Sequence, residues 1–299
     1  MANNIPTLQN DAKALRHLAA QRRLYGRAKQ VMAIQVALVV LLPLGLVIVE
    51  GFFPKIKAGS AALDIVIAVL DAILFVTLKN SFQKKAAAIQ ETFDCYVFGL
   101  DWPELKAEKP DPEDIEELSV NYKADALKDW YPSAIGTLTH HAAVVVCQRS
   151  NSRWDAKLRR KYRATLLVFA AIVILSLIVL ALSKDLLFHD LVLVVLVPAL
   201  PVVLWTLREA ADQKEAADRA DRLKQFGNEL WGKILAGSLS GQPAMTQSRV
   251  FQDAILEHRQ RSPMVFDWFY KFFRKSFEEQ MGHSADEMID QARQKGLVQ

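Results

Sequence analysis

The chain is 299 residues long, with 52% hydrophobic and 23% charged residues and a formal net charge of +4. So high an apolar share excludes a disordered chain, two cysteines cannot staple a disulfide scaffold, and the charge is too mild to argue for a nucleic-acid partner. The distribution is more informative than the average, because the apolar residues gather in a few long runs and the charges lie between them.

In chain order, residues 7–30 carry Leu8, Ala12, Leu15 and Ala19 at helical spacing and predict a helix leading into the first run. That run, Val31–Val49, holds no charge and is about 19 residues long, enough for a helix to cross the hydrocarbon core. Pro43 and Gly45 interrupt it and predict a kink or a gating hinge. Residues 50–60 connect it to the second run, Ala61–Leu78, whose only charges are Asp64 and Asp71. Beyond it, Phe82, Ala86, Ile89, Phe93 and Tyr96 form one apolar stripe on a helix. Ten acids and two lysines lie between Glu91 and Glu117, which reads either as a solvated surface or as a partner for the basic stretch Arg149–Arg163. Pro103, Pro110 and Pro112 predict a loop over 99–111, then a short helix from Pro112 through about Leu127.

Residues 140–163 lead into the third run, Ala164–Leu182, which is also uncharged. A tight link, Ser183–Asp185, precedes the fourth run, Leu186–Leu207, which Pro198 and Pro201 interrupt. Ala216, Ala220, Leu223, Leu230 and Ile234 repeat the striped pattern. A break at 237–243 precedes a helix around Ser248–Arg261, and a second break at Ser262-Pro263 precedes the aromatic stretch 266–281. Ser284 to Glu287 has the spacing of a capping box and predicts the start of a last helix. No strand-period alternation stands out.

The expected fold is therefore an all-α integral membrane protein with two transmembrane helical hairpins, or four spans, and a cytoplasmic helical region. Its segments are 1–30, a first hairpin 31–78 (spans 31–49 and 61–78), a middle segment 79–163, a second hairpin 164–207 (spans 164–182 and 186–207), and a C-terminal region 208–299. Lysines and arginines crowd the same end of every run, while the short outer connections hold only Lys55, Lys57 and Lys184. Both termini and the middle segment are thus expected in the cytoplasm of a multi-pass inner-membrane protein. Cys95 and Cys147 fall on the reducing side and are expected as free thiols.

Two residue sets can carry function. Asp64 and Asp71 are seven residues apart and share a helix face. A carboxylate near mid-membrane costs roughly 2.5–3.5 kcal/mol on insertion scales, so it faces a bundle interior or a wet cavity. One reading makes the pair pore-lining in an oligomer, with a cation preference; the other makes Asp71 a hydrogen-bonded packing contact. The second set joins Trp130 and Tyr131 of DWYP with Gln148, Arg149, Asn151, Arg153 and Trp154 of CQRSNSRWD, with the aromatic stretch 266–275 nearby in kind. Arginine forks bind phosphate and aromatic rings stack on bases, so these residues are candidates to bind a nucleotide. Core packing and headgroup contact are the rival readings. No phosphate loop, dinucleotide fingerprint, zinc-protease motif or nucleophile elbow is present, the two cysteines lack zinc spacing, and neither catalytic nor metal-ligating residues are expected.

Two hairpins around a segment with DWPELK (101–106), DWYP (129–132) and CQRSNSRWD (147–155), then DWFY (267–270), and the start NNIPTLQN (3–10), together resemble the bacterial SMODS- and SLOG-associating four-transmembrane effectors, a pore-forming family. The resemblance covers nearly the whole chain. It implies a non-enzymatic effector of anti-phage defence that oligomerises in the bilayer and disrupts the inner membrane. The trigger would be a nucleotide second messenger, a cyclic nucleotide being the candidate ligand, made or detected by a partner enzyme. The alternative is a membrane-anchored sensor or scaffold that conducts nothing and binds a cytoplasmic partner. The resemblance supplies no mapped pore or ligand residues.

Overall fold

The computed structural model describes residues 3–43, 45, 46, 49, 57–183 and 197–298. Helix α1 is one turn, Ile5–Leu8. Helix α2, Ala12–Val36, starts where the Asp11 carboxylate accepts the Ala14 backbone N–H at 2.7 Å, an N-cap. Ala12 is therefore exposed at the helix start, and Ala14, Leu15, Leu18 and Ala19 form the buried face instead. A π-helical turn, Ala37–Leu41, follows α2. It lies just before Pro43, whose ring would clash with the carbonyl four residues back in a regular α-helix, so the interruption read from sequence takes the form of a widened turn.

Helix α3, Lys57–Leu70, passes through a second π-helical turn, Asp71–Phe75, into α4, Val76–Phe98. Helix α5, Pro112–Leu118, is shorter than the sequence predicts. It stops because Asn121 adopts a left-handed backbone (φ 60°), a conformation that asparagine tolerates and that ends helices. Two 3₁₀ turns, Ala124–Ala126 and Ser133–Thr137, lead to α6, His140–Ser183. Helix α7 is described over Val197–Leu235. Its end is a Schellman motif: Gly237 (φ 71°) and Ser238 donate to the carbonyls of Ile234 and Lys233. Helix α8, Gly241–Arg261, begins earlier than expected, since Pro243 sits in the first turn where its missing N–H costs nothing. Helix α9, Asp267–Gln294, runs without interruption through the Ser284 capping-box pattern, with Ala285, Met288, Ile289 and Ala292 in the core. Among the described residues no strand ladder forms; an isolated bridge joins Leu138 and Val298.

Three stretches among the described residues are long and apolar enough to cross a membrane: Ala12–Leu41, Ile65–Phe98 and His140–Val179. The connection 50–56, the link 184–185 and residues 186–196 of the fourth run lie outside the described residues.

The chain divides into two compact units. One comprises Arg27–Ser81 and Arg160–Glu215. In it large apolar side chains stand outward, Ile65 at 67% exposure, Ile73 at 69% and Leu175 at 62%, which suits lipid and not water. The other comprises Met1–Gly26, Phe82–Arg159 and Ala216–Gln299. Its core holds Leu18, Phe93, Phe98, Ile135, Leu230 and Phe251. The apolar stripes are its buried faces: Ala86, Ile89 and Phe93 of α4, and Ala216, Ala220, Leu230 and Ile234 of α7.

Gly227 lets α7 approach α6 and α8 closely in that core. A Cβ there would lie 2.8 Å from Arg149 Cβ and 3.0 Å from the Phe251 ring. Helix propensity favours alanine over glycine by about 1 kcal/mol, but overpacking against a neighbouring Cβ costs about 1–3 kcal/mol. Gly227→Ala is expected to lower the melting temperature; an unchanged or raised value would show that α6 and α8 can move away.

Candidate functional site

The unit of Met1–Gly26, Phe82–Arg159 and Ala216–Gln299, the polar unit, is organised around a buried ionic layer. Glu91 and Asp94 are one turn apart on α4, and both are fully buried. Two arginines of α8 meet them. Arg249 Nη2 donates to Glu91 Oε1 at 2.5 Å, and Arg259 Nη1 donates to Asp94 Oδ2 at 2.6 Å. Gln252, between the arginines, donates to Glu91 Oε2 and Asp94 Oδ2, each at 2.9 Å. The Tyr131 hydroxyl donates to Asp94 Oδ1 at 2.8 Å and accepts from Asn151 Nδ2 at 3.1 Å. Gln148 donates to the Ser248 carbonyl at 2.9 Å and to Gln252 Oε1 at 3.0 Å. Each charged group has an opposite charge, and Glu91, Asp94 and Arg249 have further hydrogen bonds, the condition under which buried charges are tolerated.

Burial, with Asp94 beside it, raises the Glu91 carboxyl, while Arg249 and Arg259 pull it back. Burial, with Glu91 adding to it, pushes the Cys95 thiol up to about 12, although Arg249 donates to its sulfur at 3.2 Å. Cys95 and Cys147 are both free thiols.

A second cluster ties α6 to α8. His258 bonds Asp155 Oδ2 at 2.6 Å, and Arg159 donates to the same oxygen at 2.5 Å and to the Pro263 carbonyl at 2.7 Å. Burial alone would raise the Asp155 carboxyl, but Arg159 and His258 hold it well below the usual carboxylate range. Ser262 Oγ lies 3.2 Å from His258 Nδ1. Both side chains are buried, so this Asp–His–Ser series closes the end of α8 against α6.

His17 gives the unit a pH dependence. It is buried, and its Nδ1 has no hydrogen-bond partner among the described residues. Burial, then Lys13 and Arg16, lower its pKa from 6.5 to about 4. The unfolded chain therefore binds this proton at a higher pH than the folded chain, and stability falls as pH drops from 6.5 towards 4. Raised Glu91 acts in the opposite sense, and the Asp155 contribution is lost only below its unfolded value near 3.8. His17→Phe is expected to flatten the melting-temperature profile between pH 6.5 and 4; an unaltered slope would contradict this assignment.

The seven residues read as a ligand set separate into groups. Tyr131, Gln148 and Asn151 belong to the buried layer. Trp130 is half-buried, with its ring edge-on to Phe93, and Trp154 is half-buried and edge-on to Tyr270, with centroids 6.3 Å and 5.1 Å apart. Arg149 and Arg153 are one turn apart on α6; Arg149 donates to Asn228 Oδ1 at 2.7 Å, and Arg153 is exposed. The sequence reading missed Glu91, Asp94, Arg249, Gln252 and Arg259. Their signal was faint: Glu91 and Asp94 interrupt an apolar stripe, and Arg249 and Gln252 are one turn apart on α8. Among the described residues no cluster of three or more His, Cys, Asp or Glu is placed to hold a metal ion.

In the apolar unit, Asp71 opens its π-helical turn and is partly buried. Gln35 Nε2 of α2 donates to Asp71 Oδ1 at 2.6 Å. Asp71 therefore has a partner within its own chain. The Asp64 side chain lies outside the described residues.

The family model of the SMODS-associating 4TM effector domain matches residues 3–288, a stretch that includes the ionic layer and the Gln35–Asp71 pair. The chain belongs to this family. As a SMODS-associating 4TM effector it is similar to a Bacillus cereus (strain VD146) protein described as a probable CBASS effector molecule, with 25% identity over 283 residues, 91% of this chain and 94% of that one. No solved structure matches it. Family membership and the three long apolar helices agree in making this effector a membrane protein.

Proposed function

We propose that this chain is the membrane effector of a bacterial CBASS anti-phage system. A partner enzyme makes a nucleotide signal, a cyclic nucleotide, and the polar unit, on the cytoplasmic side, receives it. The chain then oligomerises in the inner membrane, and its spans form or gate a pore. No catalytic step is required of it. The observation that carries this reading is the family match, which runs through both units and not through the apolar helices alone. The basic residues crowding one end of each apolar run support cytoplasmic termini. Asp64 and Asp71 are the pore-lining candidates, and Arg153 is the exposed member of the seven ligand-binding candidates.

The test is membrane potential in bacteria carrying this chain and a separately inducible cyclic-nucleotide synthase. Depolarisation is expected within minutes, only when both are present. An unchanged potential, with the protein in the membrane and the nucleotide measured in the cells, would overturn the pore.

A second reading, a non-conducting anchored sensor, draws on the Gln35–Asp71 hydrogen bond, which gives Asp71 a packing role inside one chain. Under that reading the cells keep their potential, and a cytoplasmic partner is recruited instead.

A further inference from the structure

A basic groove lies on the polar unit away from the ionic layer. It has a volume of about 480 Å³, within the range of small-ligand sites. Arg22 and Arg23 of α2 line one side, and residues from Leu118 to Leu127 line the other, among them Asn121, Tyr122 and Lys123; Asp125 of that stretch is not in the lining and pairs with Lys128 at 2.8 Å. No acid is among its lining residues, although the stretch just before it, Glu91–Glu117, is the most acidic in the chain. The nearest acid in sequence that pairs with α2, Glu116, is engaged by Arg16 at 3.5 Å. Arg23 is held by the Leu118 carbonyl at 3.4 Å, whereas Arg22 and Lys123 make no ion pair among the described residues.

The floor of the groove is firm. Leu127 and Ala19 belong to the main core, and Tyr122 packs against it. Between them Asn121 holds its left-handed backbone, which reverses the chain so that Tyr122 and Lys123 line the groove with the α2 arginines. None of the seven residues singled out in the sequence lines it.

We infer that this groove binds a phosphate-bearing anion, with Arg22, Arg23 and Lys123 contacting phosphate oxygens and Tyr122 and Asn121 offering a ring and an amide to the rest of the ligand. Arginine forks match phosphate geometry, and lysine adds a point charge. Two sources carry this chemistry. One is the nucleotide signal, and in that form the inference rests on the proposed function above. The other is an acidic lipid headgroup, because the first apolar run begins eight residues after Arg23 in sequence.

The experiment uses the full chain in phosphatidylcholine nanodiscs, with ATP, cyclic di-AMP and cyclic di-GMP as probes in equilibrium dialysis. The variants are Arg22→Glu, Lys123→Glu and the double, with Lys233→Glu at an exposed position of α7 as the control on another surface. Circular dichroism and apo melting temperature check folding, and Lys123→Gln stands in should the double variant fail. A parallel arm compares melting temperatures in phosphatidylglycerol and phosphatidylcholine nanodiscs. The expected result is that a nucleotide binds the wild type, that groove variants weaken it about tenfold or more, and that Lys233→Glu does not. If no nucleotide binds, but phosphatidylglycerol raises the melting temperature and groove variants abolish that rise, the anion site stands with lipid as its source and the nucleotide reading falls. If neither nucleotide nor lipid responds to the groove variants, the groove is overturned; nucleotide binding that persists in them would leave the signalling reading intact.

Discussion

Arg259→Ala is expected to destabilise the polar unit by about 3–5 kcal/mol, the cost of removing one member of a buried ion pair. The side chain is almost wholly buried and reaches Asp94, itself fully enclosed, at 2.6 Å. Truncation leaves Asp94 with Tyr131 and Gln252 as hydrogen-bond donors but without its opposite charge, and one turn from Glu91. Neither carboxylate can turn to water. Denaturant titration of the detergent-solubilised protein, followed by tryptophan fluorescence, reads the loss as a shift in midpoint. Two comparisons localise it. Lys233→Ala, at an exposed position, should stay within about 0.5 kcal/mol of wild type. Asp94→Asn combined with Arg259→Met should cost less than Arg259→Ala alone, since it removes both charges together. A loss below about 1 kcal/mol for Arg259→Ala would contradict the buried layer.

Asp71 separates two roles in the apolar unit. The 2.6 Å bond from Gln35 is a packing contact whatever else the carboxylate does. Hydrogen bonds between membrane helices contribute about 0.6 kcal/mol on average, at most about 1.7. Asp71→Leu removes the acceptor and leaves the Gln35 amide unpaired, so weaker packing of these two helices within the chain, by about that amount, is expected. Asp71→Asn keeps an acceptor and removes the charge. If the carboxylate also faces the ion path, Asp71→Asn should leave assembly intact and reduce the preference for cations over anions, measured as a reversal-potential shift across a planar bilayer. Unchanged selectivity in an assembled Asp71→Asn channel would confine Asp71 to packing.

Much of the fold was legible because long-range structure here has a short-range cause. An uncharged run such as Ala164–Leu182 has few alternatives to a membrane helix, and its continuation back to His140 follows from unbroken helical spacing. The stripes on α4 and α7 were legible for the same reason. Element ends were less so. Asn121 stops α5 early, and nothing between Pro112 and Leu127 marks that position as strongly as a proline would. Ser284 has the pattern of a helix start but sits within α9, because continuity of the buried face at Ala285, Met288 and Ala292 outweighs a local cap.

The candidate site was the least legible part. Glu91 and Asp94 head an acidic run and suggest a solvated surface or a pairing with Arg149–Arg163. Their partners, Arg249 and Arg259, stand more than 150 residues away on α8, and no local spacing encodes that pairing. Tyr131, Gln148 and Asn151 were singled out for polar and aromatic character that the fold uses to satisfy those buried acids. The groove at Arg22 and Lys123 joins two segments that are separately unremarkable, so only the packing of α2 against residues 118–127 brings its cations together.

Under the proposed function, a nucleotide acting on this chain opens a path through the membrane. Its most direct measurement is release of carboxyfluorescein from liposomes containing the purified full-length protein, before and after addition of cyclic dinucleotides. The expected result is tight vesicles without nucleotide and rapid release with the cognate one, lost in the Arg22→Glu/Lys123→Glu double variant. Vesicles that stay tight while the folded wild-type protein binds the nucleotide would contradict it.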